Sequence, residues 1–114
     1  MHEYSIVRDL IDQCEGYAQD NGASEVSKVV IKVGKLSGVE PDLLATAFET
    51  FKEASAVCRT AELDMQIQPV EIFCRGCGEH STLAEHRYVC PLCQSVEISI
   101  TDGEEMFLMQ LEMK

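Results

Sequence analysis

The chain has 114 residues, 46% of them hydrophobic and 25% charged, which is typical of one globular domain or one domain with a small appendage. Its 20 acidic and 9 basic side chains give a net charge of −11, so binding to nucleic-acid phosphates or to an anionic membrane surface is disfavoured. The longest apolar run is the four residues 106–109, which is far short of a bilayer span. Charged residues interrupt the first twenty positions, whereas a signal peptide has an uninterrupted apolar segment there. We therefore expect a cytoplasmic protein.

Apolar residues recur with helical spacing in two parts of the chain. An amphipathic helix is predicted from Glu3 to about Gln19, and Asn21-Gly22 is suited to end it. A second helix is predicted to begin near Glu40-Pro41, because proline is well tolerated in a first helical turn. Alternating apolar and polar residues predict extended segments at 27–34, 63–68, 96–101 and 107–113, with a bend or edge at Pro69. The order helix, strand, helix, strand, cysteine segment, strand predicts a two-layer α+β body of two helices and roughly three strands.

The cysteine segment contains two Cys-x-x-Cys pairs separated by twelve residues, and its members are Cys74, Cys77, Cys90 and Cys93. Two intervening residues let both thiolates of a pair reach one cation, and Gly78 suits the left-handed turn after the first pair. Four thiolates around one ion suit zinc and leave no position for water, so we predict a structural site, with iron or disulfides as alternatives. The segment is too short for a core of its own, so the metal would stabilise its fold.

Other metal-ligand residue types lie near this segment or elsewhere in the chain. His80 and His86 are interpreted as solvated residues, and the alternative is that one of them exchanges onto the zinc ion. Cys14 and Cys58 fall on or near helical segments and are predicted to be small buried apolar side chains.

The amino terminus reads Met1-His2-Glu3. A bulky second residue generally blocks removal of the initiator methionine, so we expect His2 to stay second in the mature chain. The α-amine, the His2 backbone nitrogen and the His2 imidazole then close adjacent chelate rings around one ion, and the Glu3 amide nitrogen or a carboxylate completes the plane. Such a nitrogen-rich square-planar set suits Ni(II) or Cu(II), and not Zn(II). A histidine at position 2 is also common without a metal role, so this motif alone leaves both interpretations open.

The two motifs together, at opposite ends of a small acidic chain, resemble the HypA family of hydrogenase nickel-incorporation proteins. The resemblance covers essentially the whole chain and includes Val29-x-Ile31-x-Val33-Gly34 and Ala47-Phe48-Glu49. It implies two helices packed on a three-stranded sheet, with a four-cysteine zinc-ribbon subdomain inserted between the second and third strands. The implied domains are a nickel-binding α+β domain, residues 1–73 plus 94–114, and a zinc-ribbon domain, residues 74–93.

The same resemblance implies a nickel metallochaperone that delivers Ni(II) during [NiFe]-hydrogenase maturation and, in some bacteria, to urease. His2 would be the essential nickel ligand, assisted by Met1 and Glu3, with Glu40 near the nickel end, while the four cysteines would hold structural Zn(II). The implied partners are the hydrogenase-maturation GTPase HypB, the hydrogenase large subunit and urease accessory proteins, with no nucleic acid and no membrane.

Two other classes of function are alternatives to this interpretation. A zinc-ribbon protein–protein adaptor with no nickel role is the main alternative, because zinc ribbons often bind other proteins. An enzyme is disfavoured, because the chain has no phosphate-binding glycine loop and no nucleophile motif, and its predicted metal site is closed. We further predict that the two lobes are coupled through Phe73 and Ser95–Val96, where the chain enters and leaves the cysteine segment.

Overall fold

The secondary structure follows the predicted order and adds strands around the cysteine segment. The computed structural model describes residues 2–83 and 87–114, with His2 described by its backbone alone. The helices are α1 (His2–Asp20), α2 (Pro41–Phe51) and a short 3-10 helix (Lys52–Ala54) that follows α2. The strands are β1 (Val26–Gly34), β2 (Glu62–Gln68), β3 (Val70–Cys74), β4 (His80–Leu83), β5 (Ile98–Asp102) and β6 (Met106–Met113).

The first sheet has the strand order β2-β1-β6 and packs against both helices. β1 pairs in parallel with β2 and antiparallel with β6. The crossover connection that a parallel pair requires contains α2. The β-branched residues Val29, Ile31 and Val33 of β1 are at most 1% exposed and share one core with helix residues such as Leu10 and Phe48. The predicted α+β body, with two helices packed on a three-stranded sheet, is confirmed.

The second sheet has the order β4-β3-β5 and contains the strands that flank the cysteine pairs. β3 lies in the middle and pairs antiparallel with both neighbours. The core of this sheet is small and consists of buried Val70, Ile72 and Leu83 with partly buried Leu36, Ile98 and Ile100. The α+β body therefore has the three strands expected for it, and the extended segments beside the cysteines pair with each other in this second sheet and not with the first. The domain boundaries at residues 73/74 and 93/94 stay a prediction.

The two sheets are joined by close backbone contacts. Pro69 ends the pairing of β2, because it has no N–H to donate, and β3 begins at the next residue in the other sheet. The Leu36 N–H, just after β1, donates a hydrogen bond of 2.8 Å to the carbonyl oxygen of Gly103, just after β5. A Cβ atom on Gly34 would lie 2.3 Å from that same oxygen, so glycine is required for this approach. The junction is therefore closely packed.

One ion pair also crosses between the sheets. Lys32 of β1 donates a hydrogen bond of 3.1 Å to the carboxylate of Asp102 at the end of β5. This ammonium group, together with the next backbone N–H, holds the pKa of Asp102 below its ordinary value. Of the residues expected to couple the lobes, Phe73 packs on a histidine ring of β4 within the second sheet, and Val96 is 75% exposed.

The molecule is elongated. Its radius of gyration is 17.4 Å and its principal extents are 52 × 28 × 16 Å, whereas a compact domain of this length has a radius of gyration of about 13 Å. The two sheets with their separate apolar clusters account for this shape. Within the described residues, neither helix has the length and apolar character needed to cross a membrane.

Candidate metal centre

The first Cys-x-x-Cys pair forms a tight turn at the end of β3. The Gly78 N–H donates a hydrogen bond of 2.8 Å to the carbonyl oxygen of Cys74, and the Cys74 N–H donates one of 2.9 Å to that of Glu79. The Cys77 N–H points at the Cys74 Sγ, 3.4 Å away. Gly78 closes the turn with φ +75°, a left-handed conformation in which glycine has no steric penalty.

The second pair repeats the same turn. The Gln94 N–H donates a hydrogen bond of 2.8 Å to the carbonyl oxygen of Cys90, and the Cys90 N–H donates one of 2.9 Å to that of Ser95. The Leu92 N–H lies 3.4 Å from the Cys90 Sγ. Gln94 occupies the position of Gly78 and has φ +65°, the only positive φ of a non-glycine residue in the described ranges.

The two turns face each other and bring the four predicted ligands together. All four Sγ atoms lie within 4.8 Å of one another. The Cys74–Cys93 sulfur separation is 3.5 Å and that of Cys77–Cys90 is 3.8 Å. Tetrahedral zinc with bonds of about 2.3 Å places its sulfurs about 3.8 Å apart, whereas a disulfide needs about 2.05 Å. The arrangement fits one metal ion held by four sulfurs, and all six cysteines are free thiols.

The backbone around the site favours thiolates on the first cysteine of each pair. The Cys77 N–H, directed at Sγ, is the main cause that lowers the pKa of Cys74 to about 7. The pKa of Cys90 is lowered in the same way, chiefly by the Cys93 N–H. Cys74 and Cys90 are also buried, whereas Cys77 and Cys93 are exposed. Since a metal binds the thiolate form, these N–H groups prepare part of the site for an ion at neutral pH.

His80 does not join the sulfur cluster. His80 is exposed on β4, and its ring centroid lies 5.0 Å from that of Phe73. The ligand-type group found here within the described residues consists of the four cysteines. His86 lies outside the described residues.

Away from the cysteines, the structure brings Glu3 of α1 to the beginning of α2. Its side chain is only 8% exposed, and its Oε2 accepts a hydrogen bond of 3.3 Å from the backbone N–H of Glu40. Met1 lies outside the described residues. His2 is the first residue of α1, so its N–H and that of Glu3 belong to the first helical turn, where N–H groups have no partner within the helix.

Comparison with known proteins identifies the family of this chain. A family model described as "Hydrogenase/urease nickel incorporation, metallochaperone, hypA" matches residues 1–113. The chain belongs to the HypA family. The hydrogenase maturation factor HypA of Shewanella oneidensis is 56% identical over 114 residues, which cover 100% of this chain and 96% of the relative.

Two solved HypA structures have the same fold. The solution structure of the Ni metallochaperone HypA from Helicobacter pylori has a TM-score of 0.70 and 41% identity, and the match covers 97% of this chain and 96% of that one. A second HypA solution structure has a TM-score of 0.76 and 42% identity, with 100% and 97% covered. The resemblance stated from the motifs is therefore confirmed.

The geometry of this HypA-family chain also adds residues that sequence reasoning missed. Gln94 was not recognised as the counterpart of Gly78, although both follow the second cysteine of a pair by one position. The hydrogen bond between Glu3 and the Glu40 N–H has no local pattern in the sequence, because the two residues are 37 positions apart, and only the family resemblance implied that Glu40 lies near the amino terminus.

The remaining two cysteines belong to the core of the first sheet. Cys14 and Cys58 are each 0% exposed, as predicted. The pKa of the Cys14 thiol lies above its ordinary value, because a hydrogen bond with Cys58 and burial both favour its protonated form.

Proposed function

We propose that the protein is a nickel metallochaperone, and not an enzyme, that binds Ni(II) at its amino terminus and delivers it during [NiFe]-hydrogenase maturation. The observation that carries the proposal is the Met1-His2-Glu3 sequence at the beginning of α1 in a chain that matches the nickel-incorporation family from residue 1. Urease is the second destination in the same proposal, because the family description names it.

The proposed nickel ligands are the α-amine of Met1, the backbone nitrogen and imidazole of His2, and Glu3. The first turn of a helix supports this set, because its amide nitrogens are not needed as donors within the helix. Four ligands in a plane, most of them nitrogen, suit Ni(II). Because an amide nitrogen must lose its proton to bind, nickel affinity is expected to rise with pH.

The proposed role of zinc is structural. Cys74, Cys77, Cys90 and Cys93 would fill all four positions of a tetrahedral ion, so no open position remains for a catalytic water. Among the residues that the structure describes, the core of the second sheet has three buried apolar side chains, Val70, Ile72 and Leu83. A bound ion would supply the stabilisation that this small core lacks.

The proposed partners are those that the family resemblance implies. A nickel carrier for hydrogenase must reach the GTPase HypB and the hydrogenase large subunit, and one that serves urease must reach the urease accessory proteins. The net charge of −11 disfavours nucleic acid as a further partner. We place this function in the cytoplasm, where free cysteines stay reduced.

The test is a nickel titration of the zinc-loaded protein without any tag. We expect one Ni(II) per chain in the wild type and none in His2→Ala or in a version extended by two residues before Met1, with zinc content unchanged in all three. His80→Ala is the matched control, because this exposed histidine lies in the second sheet, and it should bind nickel as the wild type does. If all four proteins behave alike, the nickel proposal is wrong and a zinc-ribbon adaptor is the better description.

A further inference from the structure

Cys14 and Cys58 are two thiols to which the nickel and zinc proposals assign no role. Cys14 lies on α1, and Cys58 lies 44 positions later, in the segment between the 3-10 helix and β2. Both belong to the core of the first sheet and are 0% exposed. Their side chains hydrogen-bond to each other. The fold therefore brings together two sulfur atoms from distant parts of the chain.

Hydrogen bonds hold the segment that carries Cys58 against α1. The Cys58 N–H donates a hydrogen bond of 3.2 Å to the hydroxyl oxygen of Ser55, and its carbonyl oxygen accepts one of 3.0 Å from the Ala61 N–H. The Ser55 hydroxyl donates a hydrogen bond of 2.6 Å to the carboxylate of Glu15, the residue next to Cys14 on α1. Ser55 thus ties the two cysteine-bearing segments together and keeps the two sulfurs side by side.

The two thiols of this pair are not equivalent. The hydrogen bond between them is the main cause that holds the pKa of Cys58 below its ordinary value, and the same bond, with burial, raises that of Cys14. The thiolate is the form of cysteine that reacts with an oxidant, and the sulfenic acid it forms condenses with a neighbouring thiol. The geometry therefore suits Cys58 as the attacking cysteine and Cys14 as the resolving cysteine.

A small cavity lies beside the pair, between α1 and the end of α2. Its volume is about 180 Å³, and its lining includes Glu15 and Ser55, the two residues whose hydrogen bond joins the cysteine-bearing segments. One water molecule occupies about 30 Å³ of liquid, so this space is large enough for hydrogen peroxide, which has two non-hydrogen atoms. A bulky oxidant such as glutathione disulfide would have to open the core to reach a sulfur.

We propose that Cys14 and Cys58 form a modification site, which hydrogen peroxide converts into a disulfide that links α1 to the segment before β2. The Cys58 thiolate attacks one oxygen of the peroxide, the O–O bond breaks, and hydroxide leaves and takes up a proton to give water. The Cys14 sulfur then attacks the sulfur of the Cys58 sulfenic acid. The S–S bond forms, the S–O bond breaks, and the hydroxyl group leaves as water with the Cys14 proton.

The balance of this reaction is two thiols and one peroxide giving one disulfide and two water molecules, so no further reductant or oxidant is needed. A thiol reductant such as dithiothreitol reverses it by exchange. The bridge would restrict the unfolded chain over 44 positions, which favours the folded state.

Peptide mapping tests the site directly, because trypsin separates the two classes of cysteine. Cleavage after lysine and arginine places Cys14 in peptide 9–28 and Cys58 in peptide 53–59, whereas the four proposed zinc ligands lie in peptides 60–75, 76–87 and 88–114. Untagged, zinc-loaded wild type is treated with hydrogen peroxide, its remaining thiols are alkylated, and it is digested without reductant.

We expect peptides 9–28 and 53–59 to appear as one linked species, two hydrogens lighter than their sum, and to separate after dithiothreitol. The same treatment in urea with a zinc chelator is the control, and the link should fall at least about threefold there, because Cys58 then meets five other cysteines at random. Recovery of Cys58 as an alkylated thiol, or its linkage to a peptide that carries zinc ligands, would overturn the proposal.

A dimedone trap, which labels sulfenic acids, identifies the attacking cysteine. In Cys14→Ser a hydroxyl still donates to the Cys58 sulfur, and no thiol is left to resolve its sulfenic acid. We expect the label on Cys58 in this variant to exceed the label on Cys14 in Cys58→Ser at least about fivefold. Equal labelling would overturn the assignment of Cys58. The mapping of the wild type decides the site itself, even where a serine variant does not fold.

Thermal unfolding shows whether the link forms within the native fold. Oxidised and reduced wild type, each confirmed to hold one zinc per chain, are compared with peroxide-treated Cys14→Ser. We expect the linked protein to melt about 5–15 °C above the reduced protein, and the treated Cys14→Ser to gain nothing. A lower melting temperature of the linked protein would show that the bond is incompatible with the native packing and would refute the inference.

Discussion

Ile72 provides a direct test of whether zinc binding and folding of the second sheet are one process. It lies at the centre of β3, is 0% exposed, and pairs with Ser81 on β4 and Ile100 on β5. Replacing a buried isoleucine with valine costs about 1 kcal/mol, and replacing it with alanine costs about 2–5 kcal/mol. For Ile72→Ala we expect the low end, about 2–3 kcal/mol, because half of this cluster is only partly buried and is free to move into the space.

Whether the cost of an Ile72 substitution changes zinc affinity depends on whether the second sheet is folded in the zinc-free protein. If the second sheet is unfolded without metal, zinc binding includes the free energy of folding it, and the whole cost appears as weaker zinc affinity. Ile72→Val should then bind zinc about fivefold more weakly, and Ile72→Ala about 30- to 150-fold. If the sheet stays folded without metal, both states lose the same free energy and zinc affinity does not change.

The assay is competition for zinc with a chromophoric chelator, with thermal unfolding measured in parallel. The matched control is Ile31→Val, because Ile31 is equally buried at the centre of β1 but belongs to the core of the first sheet. It should lower thermal stability and leave zinc affinity within about twofold of the wild type. Unchanged zinc affinity in Ile72→Val and Ile72→Ala, with a lowered melting temperature, would refute our view that the metal supplies the fold of this sheet.

Three further predictions concern the turns at the cysteines, the packed junction and the ion pair between the sheets. A non-glycine residue in the left-handed region costs about 1–2 kcal/mol. Glycine loses more conformational freedom on folding, which offsets about 0.5–1 kcal/mol of the gain from replacing Gln94. Gln94→Gly should therefore tighten zinc binding about two- to fivefold in the chelator assay, and Gly78→Gln should weaken it. In urea unfolding, Gly34→Ala should lower the free energy of unfolding by about 3 kcal/mol or more, because its Cβ would meet backbone at 2.3 Å. Gly16→Ala, with open space around it, should raise the free energy of unfolding by about 0.5–1 kcal/mol. Equal effects would contradict the packed junction. The pKa of Asp102 is lowered in the folded state. Its contribution to stability is therefore present above its ordinary pKa of about 3.9 and is lost as pH falls through the lowered value. The wild type should thus lose more thermal stability than Asp102→Asn between pH 5 and pH 2.

The elements that the sequence predicted well are those whose signal is local. The period of the apolar residues predicted a helix from Glu3 to about Gln19, and α1 runs from His2 to Asp20. Alternation predicted strands at 27–34 and 107–113, close to the observed β1 and β6. β4 was missed, because its four residues, His80–Leu83, are too few to show a period and gain their structure from pairing with β3.

The cysteine spacing by itself determined that four sulfurs could meet around one ion, because two intervening residues bring both thiolates of a pair within reach of it. Only the tertiary structure decided that the extended segments at 70–74 and 98–102 belong to a second sheet, since alternation reports that a strand is half buried but not which strand lies beside it. The contact between Glu3 and Glu40 is of the same kind. It exists because α1 packs on α2 across 37 residues of chain, and no pattern within either helix encodes that distance.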